Sequence, residues 1–339
     1  MTKTARAVSA LVALSLMAPA CGDGGAAEEQ DVSLTVYSGR DEEFIGPLYE
    51  RFEDETGIDL EVRYGDSAEL AATILEEGEA SPADVFVSQD AGALGVVARE
   101  GLLTEIDGEI LDRVDERFRS PQGRWVGVSG RARVIAYNTE TVSESALPST
   151  VMDLTGPAYE GRVGFPPTNA SFQAFVAAMI VTEGEGATRD FLQGLADNEP
   201  RLFESNSDTV RAVAAGEVDF GLVNHYYKYE VEAEDGPIPV ENHFLSGGDP
   251  GALVNAAGAG VLASSDGPEA SMRLLDFLTS EEGQRYFATE TFEYPVVPGI
   301  EPGPDLPPLA EIESPSIDLS DLGETLEPAL RLLAEVGLL

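Results

Sequence analysis

The chain has 339 residues, of which 62 are acidic and 20 are basic, giving a formal net charge of −42. This length is enough for two hydrophobic cores, because single cores stop growing at roughly 250–300 residues. The acidic excess excludes nucleic acid as a partner, since binding a phosphate backbone requires basic patches. It also argues against electrostatic attraction to anionic membranes and is typical of a solvated surface suited to high salt or to solubility.

The first residues have the pattern of a signal peptide, which we assign to residues 1–20. Lys3 and Arg6 provide its positive segment, and an apolar run too short to cross a bilayer follows. Cys21 is the single cysteine of the chain, so no internal disulfide is possible. Its place after the tripeptide Ala-Pro-Ala resembles a bacterial lipobox. That resemblance implies cleavage before Cys21, lipidation of its sulfur and a flexible tether over residues 21–32.

The next part of the chain alternates strand and helix signals. Each predicted helix has apolar residues at helical spacing and a recognisable start or stop signal. The predicted elements are a strand Ser33–Ser38, a helix through Phe44–Phe52 stopped by Gly57, a strand Leu60–Gly65, a helix opened by Asp66 and Glu69, a strand Ala83–Ser88, and a helix from Asp90 to near Gly101. This β-α-β-α-β-α order predicts a parallel sheet with right-handed crossovers.

A second set of elements repeats the theme. They are two extended segments within Trp125–Asn138, a strand Gly161–Pro166, a helix capped by Asn169 or Ser171, a helix capped by Ser207 or Asp208, a strand Val218–Val223, an extended stretch after Gly251, helices Pro268–Leu278 and Ser280–Ala288, and a final amphipathic helix through Leu326, Leu330, Leu333 and Val336. Two α/β units in one chain predict a two-lobed α/β protein.

Extended segments near residues 125–138 and 249–262 are the candidates for crossing between the lobes. We expect one lobe to comprise residues 33–130 plus about 254–300, and the other to comprise residues 131–253 plus about 301–339. Ligands of open α/β sheets bind at the carboxyl ends of the strands. A cleft between the lobes, closing by a hinge, is therefore the expected binding site.

Several predicted strands are followed by helix starts rich in Ser, Thr, Asn and Asp. Free N–H groups at such positions are suited to binding anions. Simple helix capping explains the same residues without any ligand, and the sequence alone leaves both interpretations open.

Tyr226 and Tyr227 follow the predicted buried strand Val218–Val223 after two intervening residues, at the expected start of the next helix. Adjacent side chains on a straight strand point to opposite faces, so both can reach one ion only where the strand gives way to a helix. Ferric iron prefers anionic oxygen donors. A free phenol ionises near pH ~10, but a bound cation removes the proton at neutral pH. The alternative is a pair of core aromatics with polar tips.

The chain resembles the ferric-iron-binding proteins of bacterial iron ABC importers, a branch of the periplasmic binding proteins with a transferrin-like lobe. The resemblance extends in collinear order from about Ser33 to Gln284. It is carried by the segments LTVYSGR, SPADVFVSQD, WVGVSGRARVIAYN, GFPPTNASF and ESNSDTVRAVAAGEVDFGLVNHYYKY. It implies a bilobed type II periplasmic-binding-protein fold whose α/β lobes are joined by two extended hinge segments.

The resemblance also implies a set of site residues. Tyr226 and Tyr227 would bind Fe(III), and a synergistic anion, carbonate or phosphate, would complete the coordination sphere. Asp41 stands where some members have a histidine ligand and could itself bind the metal, whereas Gln89 replaces a glutamate and would only hydrogen-bond the anion. The remaining implied anion-binding residues are Arg40, Arg131, Arg133, Thr168, Asn169, Ala170, Ser171, Asn206 and Asn224.

These observations predict a monomeric lipid-anchored receptor on the extracellular face of the cell membrane, or in the periplasm. It would deliver ferric iron to the permease and ATPase subunits of an ABC transporter without catalysis. The chain has two histidines and no GxSxG, HExxH or CxxC motif, so a lipid-anchored hydrolase is disfavoured. The open alternatives are a receptor for a phosphonate, thiamine or a polyamine, and a sensor or adhesion lipoprotein.

Overall fold

The computed structural model describes residues 32–303 and 305–339. The predicted signal peptide, Cys21 and all of the tether except Val32 lie outside the described residues. The strands are β1 Ser33–Ser38, β2 Asp59–Tyr64, β3 Val85–Ser88, β4 Val126–Asn138, β5 Val163–Phe165, β6 Arg201–Leu202, β7 Phe220–Asn224, β8 Val240–His243 and β9 Val254–Val261. The helices are α1 Glu42–Thr56, α2 Ser67–Glu77, α3 Ala91–Arg99, α4 Gly108–Leu111, α5 Ala170–Asp197, α6 Asn206–Ala214, α7 Tyr227–Asp235, α8 Pro268–Leu278, α9 Glu281–Thr289 and α10 Leu322–Glu335.

The first half of the fold contains the predicted parallel strands. β1 pairs in parallel with both β2 and β3, and β9 then pairs antiparallel with β3. Helix α1 ends as expected at Gly57, whose φ of 68° is in the left-handed region and whose N–H donates to the Glu53 carbonyl. Its apolar face, which includes Leu48 and Phe52, is fully buried. Local sequence signals therefore define this half well.

Strand β4 belongs to both halves. The sequence suggests two extended segments here, but the structure has one continuous strand of 13 residues. Residues Val126–Ala132 pair with β9, and from Arg133 onward the partners are β7 and β8. The second half of the sheet continues from β7 to β5 and β6. A single strand thus connects the two α/β halves.

Two details of the second half differ from the sequence prediction. The cap of α6 is Ser205 rather than Ser207 or Asp208, because Ser205 is the last extended residue and its Oγ accepts the Asp208 N–H at 3.0 Å. In α10 the buried residues are Leu322, Ala329, Leu332 and Leu333, so of the predicted apolar stripe only Leu333 is fully buried.

Helix α10 packs against helices of both halves. Its residue Gly323 lies against the backbone of Gly92 in α3, and Arg331 pairs with Glu185 of α5 at 3.2 Å. The tail, which was expected in the second lobe, therefore contacts both. Within residues 32–303 and 305–339, no helix is long and apolar enough to cross a membrane.

Candidate functional site

A cleft formed by two adjoining cavities lies where the two halves meet. The smaller cavity has a volume of about 180 Å³ and the larger one about 570 Å³, and both are lined by Arg40, Asp41 and Gln89. The smaller cavity adds Tyr226 and Tyr227 from the second half. The larger cavity adds Thr168, Asn169 and Ala170 at the start of α5, together with α10. Strand-end loops from both halves thus line one space, as the switch-point rule predicts.

The tyrosine pair lies where β7 ends and α7 begins. Tyr226 is the N-cap residue of α7 and already has helical backbone angles. Tyr226 and Tyr227 both line the smaller cavity. Their ring centroids are 4.3 Å apart with planes inclined by 33°. Tyr226 is 8% exposed. Burial, followed by the neighbouring Tyr226 phenol, raises the pKa of Tyr227 well above its usual value, so without a cation this phenol is protonated.

His225 holds this loop in place. The ring is fully buried. Its Nδ1 accepts the Ala132 N–H at 3.1 Å, and its Nε2 therefore donates to the Phe292 carbonyl at 2.9 Å. Burial lowers the pKa of His225 to about 4, so the imidazole is neutral. Both ring nitrogens are occupied, and His225 is a structural residue rather than a metal donor.

Glu293 is the centre of a buried ion network that sequence reasoning missed. Arg40 donates to both carboxylate oxygens, at 3.0 and 2.7 Å, and the Arg131 Nε lies 3.9 Å away. Thr291 adds a hydroxyl donor at 3.0 Å. Burial alone would raise the pKa of Glu293, but these two guanidinium groups and the hydrogen bonds hold it below its usual value. The forked face of Arg40 is therefore occupied by Glu293.

Gln89 faces Arg131. With its amide oriented to satisfy both atoms, Gln89 donates to the Gly39 carbonyl at 3.2 Å and accepts from the Arg131 Nη1 at 3.3 Å. This arrangement makes Gln89 a support for the arginine and the loop after β1.

Arg133 carries a buried charge with no carboxylate partner among the described residues. It is 2% exposed and lies over the rings of Phe172 and Phe175, 5.3 Å from each centroid. Its Nη2 donates to the Leu222 carbonyl at 2.7 Å and its Nη1 to the Ser171 Oγ at 3.4 Å. Burial lowers the pKa of Arg133 to about 9, which leaves it charged at neutral pH. Its positive charge acts on both tyrosines.

Ser171 joins Arg133 to the start of α5. Its Oγ donates to the Asn169 Oδ1 at 2.7 Å and accepts from the Asn206 Nδ2 at 3.2 Å. Asn169 also caps α5 by accepting the Ser171 N–H at 2.9 Å. Asn169 therefore caps the helix, as one of the two interpretations of the sequence predicted. It also lines the larger cavity, so capping does not exclude a role in binding.

The structure separates the predicted site residues into two groups. Those that line the cleft are Arg40, Asp41, Gln89, Thr168, Asn169, Ala170, Tyr226 and Tyr227. Those that line neither cavity and form the supporting layer are Arg131, Arg133, Ser171, Asn206 and Asn224. Sequence reasoning did not single out Glu230, which lines the smaller cavity. Glu230 lies one helical turn after Tyr226 and Tyr227, and this spacing could have indicated from the sequence that it shares their helix face.

The donor set of the cleft consists of oxygen atoms. Among the described residues, no three His, Cys, Asp or Glu side chains converge as a conventional metal site would require. The phenols of Tyr226 and Tyr227 are oxygen donors that line this cleft, and oxygen donors suit a hard, highly charged cation.

Two α/β halves that share a ligand-sized cleft define a solute-binding protein. The model of the bacterial extracellular solute-binding protein family matches residues 80–316. The "Fe(3+)-binding periplasmic protein" of Serratia marcescens is 33% identical over 97% of this chain and 97% of its own. The chain belongs to this solute-binding family, and relatives named for ferric iron binding are among its members.

Solved structures agree with this assignment. Iron-bound HitA from Pseudomonas aeruginosa is similar with a TM-score of 0.84 and 38% identity, covering 90% of this chain and 99% of that one. The Trichodesmium protein IdiA (FutA) in complex with iron and citrate has a TM-score of 0.80 and 31% identity, with the same coverage. The predicted family and the predicted two-lobed type II fold are confirmed.

Proposed function

We propose that this protein captures ferric iron together with a synergistic oxyanion and delivers it to the permease of an ABC transporter. The observation that carries the proposal is the placement of Tyr226 and Tyr227. The two phenols are adjacent at the end of a buried strand and both line the cavity between the halves. Two phenolates that line one cavity are suited to binding a hard trivalent cation. An apolar solute would gain nothing from them.

The surroundings of the tyrosines favour their anionic form once a cation is bound. Arg133 is charged and has no described carboxylate to neutralise it, so its field favours negative charge on the phenols. Metal binding releases the phenolic protons, which makes the affinity depend on pH. Because the pKa of Tyr227 is raised in the metal-free protein, affinity falls as the pH is lowered.

The oxyanion, carbonate or phosphate, would bind at the start of α5. Thr168, Asn169 and Ala170 line the larger cavity there, and a helix N-terminus favours negative charge. Arg131, Arg133, Ser171, Asn206 and Asn224 would support this cradle from behind. We assign to Asp41 the role of an additional metal donor from the opposite wall, and to Gln89 the role of holding Arg131.

The relatives support iron as the cargo. The Serratia marcescens protein is named for Fe(3+) binding, the HitA structure is iron-bound, and the Trichodesmium structure holds iron and citrate. A phosphonate, thiamine or polyamine as the solute has no comparable support in the donor set, because none of these ligands needs paired phenolates.

We further propose that the protein acts as a monomer anchored through Cys21 at the outer face of the membrane, with the ATPase and permease subunits as its partners. The proposed lobes are residues 33–130 with about 254–300, and residues 131–253 with about 301–339. Closure of the lobes would bury the cargo, and docking on the permease would reopen them. No step requires covalent catalysis.

The test is a titration of the mature domain with a ferric chelate while the visible spectrum is recorded. Bound phenolate–iron pairs absorb in the visible range, so the protein should become coloured. Tyr226→Phe combined with Tyr227→Phe should abolish the band. Tyr229→Phe is the matched control, because Tyr229 belongs to the same helix but stacks on Phe292 instead of lining the cleft. A colourless protein that closes on an organic phosphonate would contradict the proposal.

A further inference from the structure

The proposed iron site has room for a further protein donor. Two phenolates, the Asp41 carboxylate and one oxyanion oxygen leave part of the coordination sphere of a hard octahedral ion unfilled. Gln89, which by the family resemblance stands where some members have a glutamate, is neutral and engaged with Gly39 and Arg131. A further protein donor would therefore come from another residue of the cleft.

Glu230 has the required position. It lies on α7 three residues after Tyr227 and four after Tyr226, so it shares a helix face with the tyrosines. All three residues line the same cavity of about 180 Å³. Asp41 also lines this cavity from the first half and is close enough for its charge to act on Glu230. The carboxylates thus approach the tyrosine pair from both walls.

The other glutamates of this cavity are less suitable. Glu293 is held by Arg40 on both oxygens, and Glu234 pairs with Arg211. Glu290 is exposed to solvent and accepts a hydrogen bond from Thr289 at 3.3 Å. Glu230, in contrast, is half-buried, and its one hydrogen bond to a described side chain comes from the Ser207 Oγ at 3.1 Å. It has no ion pair with any described residue.

This environment is costly for a carboxylate in the empty protein. Burial raises the pKa of Glu230, and the charges of Glu234 and Asp41 act in the same direction, against the hydrogen bond from Ser207 and the charge of Arg211. A half-buried carboxylate without a counter-ion is stabilised when a cation enters the cavity.

We propose that Glu230 is a protein ligand of the iron, supplying a carboxylate oxygen on the same side as Tyr226 and Tyr227 in place of the neutral Gln89. This inference rests on the proposed ferric function of the cleft. Three of the protein's oxygen donors would then come from the second half: Tyr226, which caps α7, and Tyr227 and Glu230 in its first turn.

The test compares Glu230→Gln with the matched control Glu282→Gln, which makes the same charge change at an exposed position of α9 that lines neither cavity of the cleft. Iron affinity is measured by competition with citrate. We expect Glu230→Gln to weaken iron binding about tenfold or more and to shift the wavelength of the phenolate–iron band, while the control stays within about twofold of wild type. Glu230→Asp, which keeps a shorter carboxylate, should give an intermediate affinity.

A purely structural role is distinguished by thermal melting of the metal-free protein. If Glu230 is a metal ligand whose charge is unfavourable in the metal-free protein, Glu230→Gln should melt at the same temperature as wild type or higher, although it binds iron more weakly. A lower melting temperature together with an unshifted band would overturn the inference, as would an affinity equal to that of the control. If the wild-type protein itself develops no band, the ferric function fails as well, so the two failures are distinguishable.

Discussion

Arg40 and Glu293 are separated by 253 residues in the chain and form a two-pronged ion pair with contacts of 3.0 and 2.7 Å. Both side chains are buried. The pair connects the loop after β1 to the segment that precedes the Gly130–Tyr294 bridge on β4. It therefore fixes one wall of the cleft to the strand shared by the two halves.

Breaking this pair from one side should be strongly destabilising. Glu293→Gln leaves the Arg40 charge buried without a carboxylate, and we expect a loss of about 3–5 kcal/mol in the free energy of unfolding. Urea unfolding of the metal-free protein measures it. Asp276→Asn is the control, because the Arg113–Asp276 pair is largely exposed and its loss should cost less than about 1 kcal/mol. Equal effects of the two substitutions would show that the buried pair contributes no more to the free energy of unfolding than the exposed pair.

The neutral, buried His225 predicts a loss of stability on acidification. Its pKa is about 4 in the folded protein and 6.5 as a free side chain. Its contribution is therefore complete above pH 6.5 and is lost as the pH falls from 6.5 to 4, amounting to about 3 kcal/mol.

His225→Asn should remove this dependence. The acidic residues titrate in both proteins, so the informative quantity is the difference in unfolding free energy between wild type and variant. That difference should shrink by about 3 kcal/mol between pH 7 and pH 4, measured on the metal-free protein. Parallel curves for the two proteins would contradict the assignment of a neutral His225.

Arg133 should set the pH at which the tyrosines take up iron. Arg133→Met removes a positive charge that acts on both phenols, so the midpoint for appearance of the iron band should move up by about one pH unit. Arg133→Lys should retain most of the effect. Arg201→Met, with the same charge change at an exposed position paired to Glu217, should leave the midpoint unchanged. A similar shift in both methionine variants would indicate a general effect of net charge.

Gly39 allows the loop after β1 to approach α2. A Cβ at this position would lie 2.0 Å from the Ser67 Oγ and 3.0 Å from the Ser67 Cα. We expect Gly39→Ala to cost about 1–3 kcal/mol and to weaken ligand binding by displacing Arg40 and Asp41.

Gly46→Ala is the matched control for this substitution. Its added Cβ would meet only Glu42 and Tyr64 at 3.7 and 3.8 Å, inside helix α1. Ala is the better helix former, so stability should rise by up to about 1 kcal/mol. Thermal melting of both variants tests this prediction. If Gly46→Ala were also destabilised, the loss in Gly39→Ala could not be attributed to the lack of space for a Cβ.

Elements with strong local signals could be predicted from the sequence. Strand Ser33–Ser38 and helix Pro268–Leu278 have the predicted bounds, because apolar residues at strand or helix spacing mark them and Pro268 stands at the start of the helix. The fusion of two extended segments into β4 could not be predicted, since it depends on pairing with β9 and β7, which are distant in the chain. The cap at Ser205 depends in the same way on where the preceding strand ends.

The site was predictable to the extent that one short segment carries it. Tyr226 and Tyr227 are adjacent in sequence, and the strand-to-helix transition beside them has a local signature. The pairing of Arg40 with Glu293 has none, because no spacing rule connects residues so far apart. Glu230 lies between these cases, as helical periodicity places it on the tyrosine face but cannot show that it is without a counter-ion.

The hydrogen bonds between His225 and Ala132 attach the tyrosine loop to β4 at the point where the strand passes from one half to the other. When two bodies rotate about a common axis, displacement grows with distance from that axis. If the two halves close about this part of β4, as proposed above, the phenols move least and groups at the rim of the cleft move farthest. The contacts at the rim would then be the first to open when the cargo is released.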